Sequence, residues 1–228
     1  MLRESKGNMY DGVLTWNPLA GKCPHGCTYC STNSLMRYPV IKSKYSGELR
    51  IDYKTLSKNL GKDKTWFVCA QNDLFAESVP FEFIGQILGQ CYRFDNTYLF
   101  QTKNPYRFIE YSNLFPNKTI LCTTIETNRW IPEIMGNSSK PYERSLCMNT
   151  LYLKGFTINI TIEPIMDFDL KKMIVFIKYC HPSKIYIGAD SKGNHLPEPP
   201  KEKILRLIDE LKKFTVIDQK RNLKRLLT

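Results

Sequence analysis

Apolar residues fall into short dense runs. Six of them are rich in β-branched and aromatic residues: DGVLTW at 11–16, TWFVCA at 65–70, TYLFQT at 97–102, TILCTT at 119–124, FTINITIE at 156–163 and KIYIGA at 184–189. Short, nearly continuous apolar runs are typical of strands buried on both faces, as in a parallel sheet. The stretches between them read as helices, around 28–36, 52–60, 81–92, 105–111, 141–153, 169–180 and 200–213. Start signals support several: Pro80 precedes the third, Asp169 can cap the sixth, and Pro199-Pro200 opens the last. Strands alternating with helices predict βαβ units. Right-handed crossovers then leave two outcomes, an open doubly wound sheet or a curved, barrel-like one. Nothing in the pattern reads as a linker, so a single domain is expected over 1–228, with its core at about 10–200 and a basic C-terminal helix or tail at 200–228.

In parallel α/β folds, ligands bind at the carboxyl ends of the strands. After the first strand comes GKCPHGCTYC, and after the next five come QNDLFAE, KNP, IETN, PIMD and DSKGN. The polar residues of note therefore collect on one rim, which argues for a single active site.

Composition narrows the setting. Hydrophobic content of 42% and charged content of 24% are ordinary for a globular protein. No run approaches about 18 apolar residues, and MLRESKGNMYDG has no signal-peptide core. A cytoplasmic setting is expected, where clustered cysteines point to metal or catalysis before disulfides. The net charge of +11 admits a polyanionic partner, and equally a solvated lysine-rich surface. Residues 201–228 hold nine Lys/Arg against four Asp/Glu, and DQKRNLKRLLT reads as a basic helix, either laid along phosphates or solvated.

The chemistry lies in Cys23, Cys27 and Cys30, a C-x3-C-x2-C cluster. A structural zinc site is closed by four ligands and would need His25 or a distant residue as the fourth. Cys69, Cys91, Cys122, Cys147 and Cys180 are all isolated. Three close thiolates suit instead a [4Fe–4S] cluster with three irons held by protein and one left open for reaction.

C-x3-C-x2-C with an aromatic residue, Tyr29, before the last cysteine resembles the radical S-adenosylmethionine (SAM) signature. TWNPLAGKCPHGCTYC, FVCAQNDLFAESVP, FQTKNP, ITIEP and IYIGADSKG, in order over residues 15–193, are similar to a narrower group: a phage-associated, uncharacterised radical-SAM family related to spore photoproduct lyase. The resemblance implies a partial (β/α)6 barrel, a [4Fe–4S] cluster, SAM chelated to the open iron, and a reductant such as flavodoxin or ferredoxin. It implies a radical-SAM enzyme of lyase or transferase type, in which the cluster reductively cleaves SAM to a 5′-deoxyadenosyl radical that abstracts hydrogen from substrate.

The resemblance also implies roles along the rim. The usual Gly-Gly-Glu-like segment that holds the SAM ammonium is replaced by Gln71-Asn72-Asp73, which keeps a carboxylate. Lys103 would pair with the SAM carboxylate; Tyr29, Thr123, Thr124 and Glu126 would lie near the methionine or ribose, and Glu163, Gly188 and Asp190 near ribose and adenine. Spore photoproduct lyases use a cysteine near the end of strand two to return hydrogen to the product radical. Cys69 falls one residue early for that role, and one residue switches the face of a strand; Cys122 on strand four is an alternative. Each position also has a plain reading: Asp73 as a helix cap, Lys103 as a loop lysine, Glu163 in an ion pair, His25 shaping its loop, and both cysteines as buried apolar side chains. For the substrate, charge and resemblance favour a nucleic acid base or nucleotide. A small metabolite and a non-catalytic, metal-stabilised nucleic-acid-binding module are the alternatives.

Overall fold

A computed structural model describes Tyr10 and residues 12–228. The first apolar run gives β1 (Leu14–Trp16); Asp11 of that run lies outside the described residues. Two short pieces that the pattern does not mark, β2 (Leu19–Ala20) and β3 (Arg50–Ile51), pair antiparallel beside it. The next five runs become β4 (Thr65–Val68), β5 (Thr97–Thr102), β6 (Thr119–Thr124), β7 (Thr157–Ile162) and β8 (Lys184–Ile187). A last strand, β9 (Val216–Gln219), completes a seven-stranded parallel sheet in the order β1-β4-β5-β6-β7-β8-β9. Because each strand is added beside the one before it, crossovers of one hand put their helices on one face. The sheet curls around the other face as a half-barrel.

The helices are α1 (Ser31–Leu35), α2 (Pro39–Tyr45), α3 (Tyr53–Leu56), α4 (Phe81–Tyr92) and α5 (Tyr106–Glu110). They continue with α6 (Pro132–Met135), α7 (Pro141–Leu153), α8 (Leu170–Tyr179), α9 (Lys201–Leu211) and α10 (Lys224–Leu227). The helix expected at 52–60 shrinks to α3, started by Asp52, whose carboxylate accepts from Thr55 N at 3.0 Å. Period-two alternation sorts the strand side chains between two clusters. Trp66, Val68, Phe100, Leu121, Ile160 and Ile187 join the large core beneath the helices, whereas Phe67, Leu99, Cys122 and Tyr186 pack with Tyr10 on the concave face.

The main departure from the pattern lies at the C-terminus, where DQKRNLKRLLT is not one basic helix. Asp218 and Gln219 belong to β9, Arg221–Leu223 form a 3-10 turn, and α10 is a single turn. The edge of β8 offers a complete backbone ladder to the apolar Val216-Ile217 pair, and that pairing overrides helical propensity. The chain then crosses the carboxyl end of β8, where Lys220 N donates to Ile187 O at 2.8 Å.

Candidate active site

Beyond β1 the chain turns at Gly21, whose φ of +98° suits glycine and whose missing Cβ lets the Glu48 carbonyl approach. The cysteine loop then lies against residues 134–137. Thr28 N donates to Ile134 O at 3.0 Å, Asn137 N to His25 O at 2.8 Å, and Asn137 Nδ2 to Pro24 O at 3.1 Å. Gly136, at φ +59°, passes so close that any Cβ would strike His25 O. Cys27 is buried, Cys23 and Cys30 are half-buried, and all three thiols are free. Burial and the nearby Asp73 carboxylate push the Cys23 thiol up to about 12, so its thiolate needs a cationic centre.

The donor set fits a cluster: three unbridged thiols on one short loop, with no fourth cysteine among them. Among the described residues no three His, Cys, Asp or Glu side chains converge on a single-ion site. A cubane does not require that convergence, since each thiolate takes a different iron.

Asp73 ties this loop to the barrel. Its Oδ2 lies 2.7 Å from His25 Nε2 and accepts from Thr102 Oγ1 at 3.0 Å and Lys103 N at 2.8 Å, while Oδ1 accepts from Phe75 N at 3.0 Å. Burial works against the charge, but His25 and these donors hold the carboxyl below its ordinary range. Both oxygens are thus occupied within the protein. Asn72 differs: its Nδ2 donates to Gly21 O at 2.9 Å, while its Oδ1 is buried without a partner.

A largely buried network faces Cys27 from the other side, with Lys103 half-buried at its edge. Lys103 Nζ lies 2.7 Å from Tyr29 Oη, 3.4 Å from Glu126 Oε1 and 3.5 Å from Cys27 Sγ. Tyr29 Oη donates in turn to Glu126 Oε1. Burial opposes the charge on Lys103, yet the surrounding acidic groups hold its pKa above that of an ordinary lysine. Glu126 is fully buried and balanced by Arg144, also fully buried, whose Nη1 reaches Glu126 Oε2 at 2.9 Å and Thr124 O at 2.7 Å. Arg144 further donates to Ser139 O at 2.6 Å and Ser138 Oγ at 2.8 Å. Sequence reasoning missed Arg144. The signal was its place on α7 in register with buried Met148 and Leu151, since an arginine on an apolar stripe needs a buried acid.

The two candidate cysteines lie on opposite faces of the sheet. Cys69 packs into the large core beneath the helices, while Cys122 belongs to the concave cluster. Cys122 Sγ is 3.3 Å from Tyr10 Oη, which donates to Gln101 Oε1 at 2.6 Å, and Gln101 Nε2 donates to Thr124 Oγ1 at 3.0 Å. Burial pushes both thiols up to about 12. Thr123 is turned away and donates to Thr102 O at 2.7 Å.

At the far end of the rim, Glu163 Oε1 accepts from Asn222 Nδ2 at 2.8 Å, and the same amide donates to Ala189 O at 2.8 Å. Glu163 Oε2 and Asn222 Oδ1 are buried without partners. Gly188 is their floor, because a Cβ there would sit 2.8 Å from both Asn222 Oδ1 and Glu163 Oε1. Burial pushes the Glu163 carboxyl up. The carboxylate of Asp190 is taken up in its own loop, accepting from Lys192 N at 3.0 Å and Asn194 Nδ2 at 2.7 Å. Asn222 was invisible in the sequence because its segment reads as helix. Of the tail's basic residues, Arg225 is engaged with Glu198 and Asp190 O, and the Lys220 ammonium lies 5.4 Å above the Tyr10 ring.

Solved structures share this architecture. A spore photoproduct lyase mutant with bound S-adenosylmethionine and dinucleoside spore photoproduct matches 90% of this chain and 75% of its own at TM-score 0.60 and 12% identity. Another mutant of that lyase matches 96% and 79% at TM-score 0.66 and 11% identity. The fold is that of the radical-SAM enzymes. Streptococcus suis SuiB bound to S-adenosylmethionine also matches, over 91% of this chain and 51% of its own, at TM-score 0.52 and 10% identity. No protein-family model and no curated protein matches the chain. Within the radical-SAM half-barrel, the cysteine loop follows β1, Lys103 follows β5, Glu126 follows β6 and Glu163 follows β7, all on the carboxyl rim. Among the described residues no helix is long and apolar enough to cross a membrane.

Proposed function

We propose that this protein is a radical-SAM enzyme whose Cys23, Cys27 and Cys30 hold a [4Fe–4S] cluster, and whose substrate is a nucleic acid base or nucleotide. The observation that carries the reading is the placement of three free thiols on the loop after β1 of a radical-SAM half-barrel, with Cys27 facing a lysine–tyrosine–glutamate network. When bound, the cluster and SAM supply one-electron cleavage of the sulfonium and an adenosyl radical able to take hydrogen from an unactivated carbon.

The chain's own residues bind and orient. Asn72 Oδ1, the unpartnered acceptor beside the cysteine loop, receives the SAM ammonium, and Asp73 holds that loop in place through His25. Lys103 meets the SAM carboxylate, with Tyr29 and Glu126 keeping its ammonium at the Cys27 side and Arg144 anchoring Glu126. Glu163, Asn222 and the bare backbone of Gly188 take the adenosine end. Cys122, on the concave face, is the better-placed hydrogen donor to a product radical, and Tyr10 fixes its thiol. The net charge of +11 and the dinucleoside bound by a structural neighbour support the nucleotide class of substrate.

The test is anaerobic: reconstitute with iron and sulfide, reduce with dithionite, add SAM and measure 5′-deoxyadenosine by mass spectrometry, with Cys27→Ala as control. Wild type should form the product and the variant should not. An intact reconstituted cluster whose EPR signal does not change on SAM addition, and which yields no product with nucleotides or DNA present, would refute the reading.

A further inference from the structure

The crossover helices cover the other face of the sheet, yet the centre of the concave face is filled. Tyr10, which precedes β1 and is 1% exposed, sets its ring edge-on to Tyr186 and Phe67, with centroids 4.5 and 5.2 Å away. Both separations lie in the range that aromatic pairs favour. Phe67 belongs to β4 and Tyr186 to β8, so one ring spans most of the face. Its Oη donates to Gln101 Oε1 at 2.6 Å and lies 3.3 Å from Cys122 Sγ.

This lining differs from the apolar core beneath the helices. Gln101 Nε2 is committed to Thr124 Oγ1 at 3.0 Å, so its Oε1 is the atom turned to the phenol. Thr161 on β7, in register with Thr124 and Tyr186, brings a fully buried hydroxyl beside the same phenol without completing a hydrogen bond. The Lys220 ammonium lies 5.4 Å from the Tyr10 ring centre and 5.3 Å from that of Tyr186. Aromatic walls, an acceptor and a hydroxyl at one edge, and a cation at the rim fit a planar heterocycle bearing a phosphate. The ring also closes the face, since Cys122 is fully buried and no substrate carbon can reach its thiol while the phenol lies against it. The chain passes from Tyr10 into β1 through Gly12, whose φ of +73° lies over open space, so residue 10 can swing out without moving the strand.

We propose that Tyr10 is an internal occupant of a nucleobase site on the concave face, and that a substrate base displaces its ring. The base then lies against Phe67 and Tyr186 and offers its polar edge to Gln101 Oε1 and Thr161 Oγ1, with its phosphate toward Lys220. The inference deepens the nucleotide reading above and rests on it. No bond forms or breaks; two occupants compete for one site. The resting protein keeps Cys122 covered, and only a bound base brings a carbon to its thiol. The tyrosine lowers apparent affinity by the fraction of time the site stands open, which a ring that merely completed the core would not do.

The test is binding to anaerobic, reconstituted protein, measured by calorimetry. The probes are the four deoxynucleoside 5′-monophosphates, a single-stranded oligonucleotide, and p-cresol, which is the tyrosine side chain itself. With the site open about 1–10% of the time, Tyr10→Ala should bind a monophosphate or the oligonucleotide roughly tenfold to a hundredfold more tightly than wild type. Whichever binds better tells a free nucleotide from a base in a strand. Tyr10→Phe keeps the ring but loses its hydrogen bonds, and should gain about twofold to tenfold, which preserves the test if the alanine variant does not fold. Adding Gln101→Leu to Tyr10→Ala should cost about tenfold. Alkylation of Cys122 by iodoacetamide, located by peptide mass mapping, should rise in Tyr10→Ala and fall again when nucleotide is added. Equal nucleotide affinity in wild type and both Tyr10 variants, or binding in none of them, overturns the proposal. So does a Tyr10→Ala protein that takes p-cresol and no nucleotide, since the ring is then core. Nucleotide binding that leaves Cys122 unprotected places the base elsewhere and overturns it too. Any of these results with 5′-deoxyadenosine still formed leaves the radical-SAM reading standing, whereas loss of SAM cleavage in wild type takes that reading with it.

Discussion

The buried pair of Glu126 and Arg144 offers a sharp perturbation, because every atom of its cost is visible. Arg144→Met fills similar volume but strips Glu126 Oε2 of its partner and leaves Thr124 O, Ser139 O and Ser138 Oγ without their donor. Breaking a buried ion pair on one side costs about 3–5 kcal/mol. At roughly 2–4 °C per kcal/mol for a chain of this size, the melting temperature should fall by about 6–20 °C. Adding Glu126→Gln removes the stranded charge while keeping an acceptor for Tyr29, and should recover about 1–3 kcal/mol relative to additivity. The loss also depends on pH. Burial penalises the Glu126 charge, but Arg144, Lys103 and Tyr29 outweigh it and hold its carboxyl below the ordinary range. A depressed carboxylate contributes stability above its unfolded pKa of about 4.3, and that contribution fades as pH falls through the lower folded value. The gap between wild type and Arg144→Met should therefore be widest near pH 7 and narrow at acid pH. Thermal melts by circular dichroism, run anaerobically, measure all three proteins. A melting temperature within about 2 °C of wild type, or a double variant as unstable as the two singles added together, would show that the pair does not hold the site.

The remaining predictions concern the loop and the two ends of the rim. Gly136→Ala should block closure of residues 134–137 on His25, and iron bound after reconstitution should drop below about half of wild type; full iron loading would count against that clamp. Asn72→Leu removes the unpartnered acceptor, so SAM dissociation should rise roughly tenfold to a hundredfold, as for a hydrogen bond to a charged group worth about 1.5–3 kcal/mol. Its readout is calorimetry on reconstituted protein, and unchanged affinity would move the ammonium elsewhere. Gly188→Ala drives a Cβ against Glu163 and Asn222 and should cost about 1–3 kcal/mol of stability together with SAM affinity. Normal affinity in a destabilised variant would separate that floor from the cofactor.

What the sequence made legible, and what it hid, follow one physical division. Contiguous features could be read directly: the cysteine loop, whose spacing is local, and the six apolar runs, whose composition demands burial. Features created by the closing of the sheet could not. β9 was missed because its strand character depends on the free edge of β8, and a basic tail carries no mark of which edge it will find. Asn222 was lost with it, since only that pairing brings it over Gly188 to the Glu163 carboxylate. Asp73 shows a different limit. Folding brings His25, Thr102 and Lys103 N onto its carboxylate, partners that its position after the second long strand did not announce, while the adjacent Asn72 has a buried acceptor without a partner. Motif position thus locates the rim, but which side chain on the rim has a free atom is decided by long-range neighbours.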